Sequence, residues 1–245
     1  MDYSEQNYLK KAFIIFIFFT LFTIPGFSQF VDSFSFMEDS ISYTQFIKAI
    51  KDNEDESLCL KLYEGLDFSS FDSPKKSVFE IKAKLNYSRY LIENKQKRTA
   101  EIILAEAEDE LQRLKTDDLF YNILDAETKS LWYLINHFKY LSKAIQSTKL
   151  IKKNFISYSN EISAVLQYAN ALLYTPGKNL EEPLEIFKTL ENEKLMAWDQ
   201  FSLYSGLGMS NFKLKNNKEA LLYLSQAKNI YAGDELINTT LIKLT

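Results

Sequence analysis

The chain has 245 residues, of which 46% are hydrophobic, enough for a buried core and above the disordered range. Its 6 glycines and 4 prolines compare with roughly 29 at average usage, a scarcity that excludes a large all-β protein with its many turns. One cysteine and one histidine exclude a disulfide framework and leave no usual zinc ligand set, and the net charge of −4 argues against a nucleic-acid partner.

Residues 1–11 end in Lys10-Lys11, and the apolar run from Ala12 to Ile24 follows. That run is too short to cross a bilayer, which takes about 20 residues. Pro25, Gly26 and Ser28 supply a small-residue exit. The order of basic, apolar and small segments predicts a signal peptide over residues 1–28, cut between Ser28 and Gln29. A serine exit followed by Gln29 resembles export signals of the Bacteroidetes group. The mature chain is expected to be periplasmic or secreted, with membrane contact only through this segment if it is retained. Cys59, in Ser57-Leu58-Cys59-Leu60, reads as a small buried hydrophobe rather than a reactive thiol.

Residues 29–77 read as a lead-in with capping helices. The stretch 30–40 has no clear period, whereas Phe46, Ile47 and Ile50 predict a short helix over Ile41–Lys51. Asp52-Asn53-Glu54-Asp55-Glu56 begins like a calcium loop, but Ser57 and Tyr63 stand where that loop needs Gly and Glu. It reads instead as a turn and a helix N-terminus, where acidic residues complement the dipole. Ser69-Ser70-Phe71-Asp72-Ser73-Pro74 is a breaker.

From Val78 to Gly233 the apolar spacing predicts helix pairs. Ala83, Tyr87, Tyr90 and Leu91 precede Ala100, Ile103, Leu104, Ala107 and Leu111 across Asn94–Arg98, whose basic residues read as a solvated loop. Leu131, Leu134, Ile135 and Phe138 precede Leu141, Ala144, Ile145, Leu150 and Ile151. Leu166, Ala169, Leu172 and Leu173 precede Leu184, Phe187 and Leu190 across Thr175-Pro176-Gly177-Lys178-Asn179. Tyr204, Leu207, Gly208 and Phe212 precede Ala220, Leu221, Leu224, Ala227 and Ile230, and Gly233 stands at an expected helix C-cap. Residues 234–245 read as a C-terminal cap or a truncated helix.

Ala100, Ala144, Pro183 and Ala220 recur at spacings suited to helical-hairpin repeats. In Tyr204-Ser205-Gly206-Leu207-Gly208 followed by Ala220, Leu224 and Ala227, the small residues let two helices approach while Leu224 fills the gap. This unit resembles the tetratricopeptide family, and Ala171, Tyr174 and Phe187 repeat the logic one unit earlier. Trp132, Pro183 and Asn211 depart from the family's pattern. The resemblance implies an all-α fold: a right-handed solenoid of antiparallel helical hairpins in about four divergent units, with Ala100, Ala144, Ala171, Gly208, Ala220 and Ala227 as close-packing positions. It also implies a concave face on the first helix of each pair, where Tyr133, Tyr168, Met209 and Phe212, with His137, form a candidate groove.

No constellation in the sequence suggests catalysis. Gly206-Leu207-Gly208 lacks the third glycine of a dinucleotide loop, with Asn211 in its place. Gly177-Lys178-Asn179 lacks the rest of a phosphate loop, and His137 has no nucleophile in an elbow context. Glu101, Glu106, Glu108, Asp109 and Glu110 alternate with core residues and read as a solvated face. The sequence therefore predicts an exported, non-catalytic module that binds a protein or peptide, without cofactor or metal. The alternative is the periplasmic sensory portion, possibly truncated, of a membrane-spanning transcriptional regulator or sensor kinase.

Overall fold

Short polar residues start five of the helices by accepting hydrogen bonds from their first free amides. Ser40 accepts from Tyr43 N ahead of α1 (Ile41–Lys51), and Asp55 from Ser57 N ahead of α2 (Glu56–Glu64). Asp72 caps α3 (Ser73–Glu93), which has Pro74 in its first turn where a missing amide costs nothing. Lys95, with φ of 65°, turns the chain into α4 (Lys97–Leu114), and Asp118 accepts from Tyr121 N to start α5 (Leu119–Ile135). Next come α6 (Leu141–Ser157), α7 (Ile162–Tyr174), α8 (Glu181–Lys188), α9 (Ala197–Lys213) and α10 (Asn217–Ile230). Asp234 accepts from Ile237 N to cap α11 (Glu235–Leu244). The computed structural model describes residues 30–114, 118–177 and 179–245, and among these the fold is all-helical. The signal segment, residues 1–28, lies outside the described residues.

The helices pack chiefly on sequence neighbours: α3 on α4, α5 on α6, α7 on α8 and α9 on α10. Alternate helices also touch, α1 with α3, α3 with α5, and α7 with α9. At the N-terminal end Tyr63 stacks on Tyr87 at 4.4 Å and Phe71 on Phe79 at 5.2 Å, around the buried ring of Phe46. Cys59 is fully buried beside these, its Sγ 3.6 Å from the Glu54 carbonyl.

Two glycines on α9 explain how its neighbours seat. Positions two apart on a helix point to nearly opposite sides. A Cβ at Gly206 would overlap the Phe187 ring of α8, and one at Gly208 would sit 2.6 Å from Leu224 of α10. Phe187, Leu224, Ala220 and Ala227 are all fully buried. The Gly208–Leu224 fit expected from the sequence is therefore present, and Gly206-Leu207-Gly208 is a packing device.

Other expected close contacts shift. Ala144 and Ala171 are only partly buried and face the interior cavity described below. Between α5 and α6 the tight approach is made by Ser147, whose Oγ lies 2.7 Å from Ala126 O and 2.6 Å from Ser130 Oγ. Trp132 packs against Tyr140 and Lys143 at the start of α6, so the close approach falls one turn later than Ala144. On α7 the fully buried small residues are Ala164 and Ala169 rather than Ala171. Ala100 is fully buried on α4 as expected. Phe138 departs too: Asn136 Oδ1 accepts from Phe138 N and Lys139 N, ending α5 at Ile135 and leaving Phe138 97% exposed in the turn. The carboxylates of α4 are less solvated than their alternation suggests, because Glu101 pairs with Lys139, Glu108 with Lys143 and Glu110 with Lys84.

The lead-in is tied down rather than loose. Val31 forms a parallel bridge with Glu161, donating to Asn160 O at 2.9 Å and accepting from Ile162 N at 3.0 Å. Both Glu161 carboxylate oxygens accept from Ser33, at 2.9 Å from N and 2.8 Å from Oγ. A 3-10 turn over Ser35–Asp39 follows, with Phe34 and Met37 buried, and Glu38 Oε1 accepts from Ala197 N at 2.9 Å, the first amide of α9. Glu161→Ala removes both Ser33 contacts and is expected to cost about 2 kcal/mol. Hydrogen exchange checks this: amides of residues 31–39 should exchange faster, and unchanged protection there would refute the anchoring role.

The C-terminal part also meets the N-terminal part at a seam past α1. Asp52 Oδ1, just past α1, accepts from Ala232 N at 2.7 Å and Gly233 N at 3.3 Å in the turn before α11. Gly233 is not a left-handed C-cap, since Gly177 alone among the described glycines has positive φ. It is a point of backbone contact, because a Cβ there would overlap the Asp52 carbonyl.

Candidate functional site

The alternating contacts of α1, α3, α5, α7 and α9 leave a cavity of about 860 Å³ on their inner side, reached also by α6, α11 and the lead-in. Its size lies within the range of small-molecule and cofactor sites, about 300–1,000 Å³. Tyr133 and Met209, expected in a groove, line it. Met209 is buried, with Thr240 Oγ1 3.8 Å from its sulfur. The structure takes the other groove candidates elsewhere. Tyr168 stacks on Phe155 of α6 at 4.3 Å, and Phe212 is partly buried near the end of α9. His137 is exposed in the α5–α6 turn, its ring 4.6 Å from that of Tyr133.

Helical periodicity puts charged groups into the same cavity. Glu127, on the inner face of α5 and 8% exposed, accepts from Lys82 Nζ at 2.6 Å and lies 3.7 Å from the Arg89 guanidinium. Burial works to raise the Glu127 carboxyl, yet the fields of Lys82 and Arg89 overcome it and hold the carboxyl below its ordinary range. Lys51 of α1 places its ammonium 4.6 Å from the centre of the Trp198 ring and 4.9 Å from that of Phe201. Such a contact satisfies an ammonium through the ring's negative face. Burial still lowers the Lys51 ammonium, partly offset by the Glu93 carboxylate.

Asp199, in the first turn of α9, is 6% exposed and faces the cavity. Its Oδ2 is buried without a hydrogen-bond partner among the described residues. Burial pushes its carboxyl up to about 8, the carboxylates of Asp32, Glu38 and Glu161 add to the rise, and Lys82 opposes it. Opposite, the buried Tyr43 hydroxyl accepts from Asn86 Nδ2 at 2.9 Å. Burial holds that hydroxyl well above its usual range, and Glu127 and Asp199 reinforce the effect.

Sequence reading missed this group. Lys82 and Glu127 lie 45 positions apart and meet only through the α3–α5 contact. Asp199 resembles any acidic residue complementing a helix dipole. The available signal was the placement of Asp125 and Glu127 inside the apolar run of α5, where a charge at core spacing needs a partner.

Among the described residues no helix is long and apolar enough to cross a membrane, and no group of three metal-ligating side chains converges. Comparison of the chain with protein-family models, with curated proteins and with solved structures gives no match.

Proposed function

We propose that the chain is an exported, non-catalytic binding protein whose helical hairpins stack as a tetratricopeptide-like right-handed solenoid and whose inner cavity holds a short segment of a protein or peptide. The signal-like first 28 residues support export to the periplasm or beyond. The observation that carries the binding reading is the lead-in. This irregular segment runs along the inner wall, pairs its backbone with residues 160–162, and buries Phe34 and Met37 beside the cavity. The wall therefore already accepts a peptide of this chain through backbone pairing and side-chain pockets, the means by which extended peptides are generally recognised. Stacked hairpins suit such a role because each adds a strip of side chains to one continuous surface.

A screen of the isolated protein against short unstructured peptides tests this reading. Tyr133→Ala and Met209→Ala are expected to weaken the best peptide by about tenfold each, as buried contact residues do. Tyr168→Ala, at a residue that stacks on Phe155, interacts with Glu182 and does not line the cavity, should leave affinity unchanged. Absence of any bound peptide, or equal losses at all three positions, would overturn the proposal.

A further inference from the structure

We propose that the cavity is selective for an organic cation, an ammonium or guanidinium group, with Asp199 as its counter-ion. The proposal rests on the cavity being a binding site and adds the chemical class of its ligand. Asp199 Oδ2 has no hydrogen-bond partner among the described residues, although the side chain is more than nine-tenths buried and borders open space. A buried carboxylate oxygen left in this way incurs its full desolvation cost with no return. A donor arriving with the ligand removes that cost, and a charged donor does so most effectively.

The other charged groups favour a cation over a neutral donor. Near Asp199 stand Asp32 and Glu38 of the lead-in and Glu161 ahead of α7, and no ion pair forms at any of these four carboxylates among the described residues. Ser33 holds both oxygens of Glu161, Glu38 accepts from the α9 amide, and Asp32 Oδ2 is buried without a hydrogen-bond partner among the described residues. The opposing charge that acts on Asp199 is Lys82 of α3, already hydrogen-bonded to Glu127. Tyr43 and Tyr231 also feel the Asp199 charge, which raises both hydroxyls further. The cations beside Asp199 are thus engaged elsewhere, Lys82 by Glu127 and Lys51 by the rings of Trp198 and Phe201, while the nearby carboxylates add to its negative surroundings. Lys51 is satisfied by the faces of those rings and forms no ion pair with Asp199 among the described residues. A cation seated beside Asp199 pulls its raised carboxyl down and expels the proton.

Calorimetry on the isolated protein tests this with matched probes: Nα-acetyl-lysine amide and Nα-acetyl-arginine amide, the uncharged Nα-acetyl-norleucine amide, and a lysine-centred and a norleucine-centred tripeptide, each acetylated and amidated at its ends. Cationic probes are expected to bind at least tenfold more tightly than the neutral ones, and Asp199→Asn to abolish that preference while still folding. Near pH 7 binding should release a fraction of a proton, read from the dependence of heat on the buffer's ionisation enthalpy, and Asp199→Asn should remove the release. Preference for the tripeptide identifies a basic side chain of a peptide as the source, and preference for the single-residue amide a small amine; either supports the proposal. Equal binding of norleucine and lysine probes, or full retention of the preference in Asp199→Asn, overturns it. Tyr133-dependent binding of neutral or acidic peptides alone would overturn the cation proposal and leave the peptide-binding reading intact.

Discussion

Gly233→Ala is expected to lower the melting temperature by about 6–12 °C, corresponding to roughly 3 kcal/mol in a domain of this size. The added methyl would fall on the Asp52 carbonyl, and backbone at a helix end cannot swing aside as a flexible side chain does. The α1 end and the α10–α11 turn must separate, and separation lengthens both amide contacts to Asp52 Oδ1. Asn238, which donates to Ala232 O at 2.8 Å, then loses its fixed acceptor. Thermal unfolding gives the size of the effect, and hydrogen exchange locates it: residues 48–52 and 231–238 should lose protection while α3 to α6 keep theirs. A melting temperature within about 2 °C of the parent, less than one kcal/mol in such a domain, would show that the seam is soft and the contact dispensable.

The second large effect concerns Asp199 and depends on pH. Its ordinary carboxyl value is 3.8, and in the folded protein it rises to about 8. Between these limits the folded state holds a proton that the unfolded chain has released. Stability contributed at this site therefore falls as pH rises across that window and levels off above it. Asparagine keeps the shape and carries no such penalty. Asp199→Asn should match the parent near the acid limit and become progressively more stable, by an amount on the order of a few kcal/mol at the alkaline end. Parallel melts of the two proteins across the window supply the check. A constant difference, or one that shrinks with pH, would mean that the carboxylate is already compensated when empty of ligand.

Much of the helical framework was legible because its signals are local. Scarce glycine and proline, apolar spacing of three and four, and the Asn94–Arg98 and Thr175–Asn179 breaks all act within a few residues. The Gly208–Leu224 fit was legible for the same reason, since a small residue facing a large one is written in two adjacent helices. Phe138 was misplaced because its spacing continues the pattern of Leu131 and Leu134, while the Asn136 side chain that ends the helix looks like any surface amide. Ser147 was missed because a hydroxyl that satisfies itself on a neighbouring carbonyl packs as closely as alanine, and residue type alone does not reveal it. The cavity's charged groups stayed hidden for a different reason. Their meaning lies in pairs such as Ser33–Glu161 and Lys82–Glu127, whose distances are set by the whole fold. Tyr168 shows the converse: its spacing allowed the inner face, and the ring of Phe155 took it instead.

The glycine notches of α9 bear on where the fold can open. With Phe187 lodged on one side and Leu224 on the other, α8, α9 and α10 are keyed together and cannot slide or rotate separately without steric overlap. They are expected to move as one unit. Local opening is thereby directed away from the last hairpin, toward the lead-in held at Glu161 and the seam where Asp52 meets Gly233. Each of these attachments rests on a few hydrogen bonds to one carboxylate, and local opening draws on such lightly fastened elements first. The keyed helices keep their mutual shape, and the two latches are where the fold is expected to loosen first.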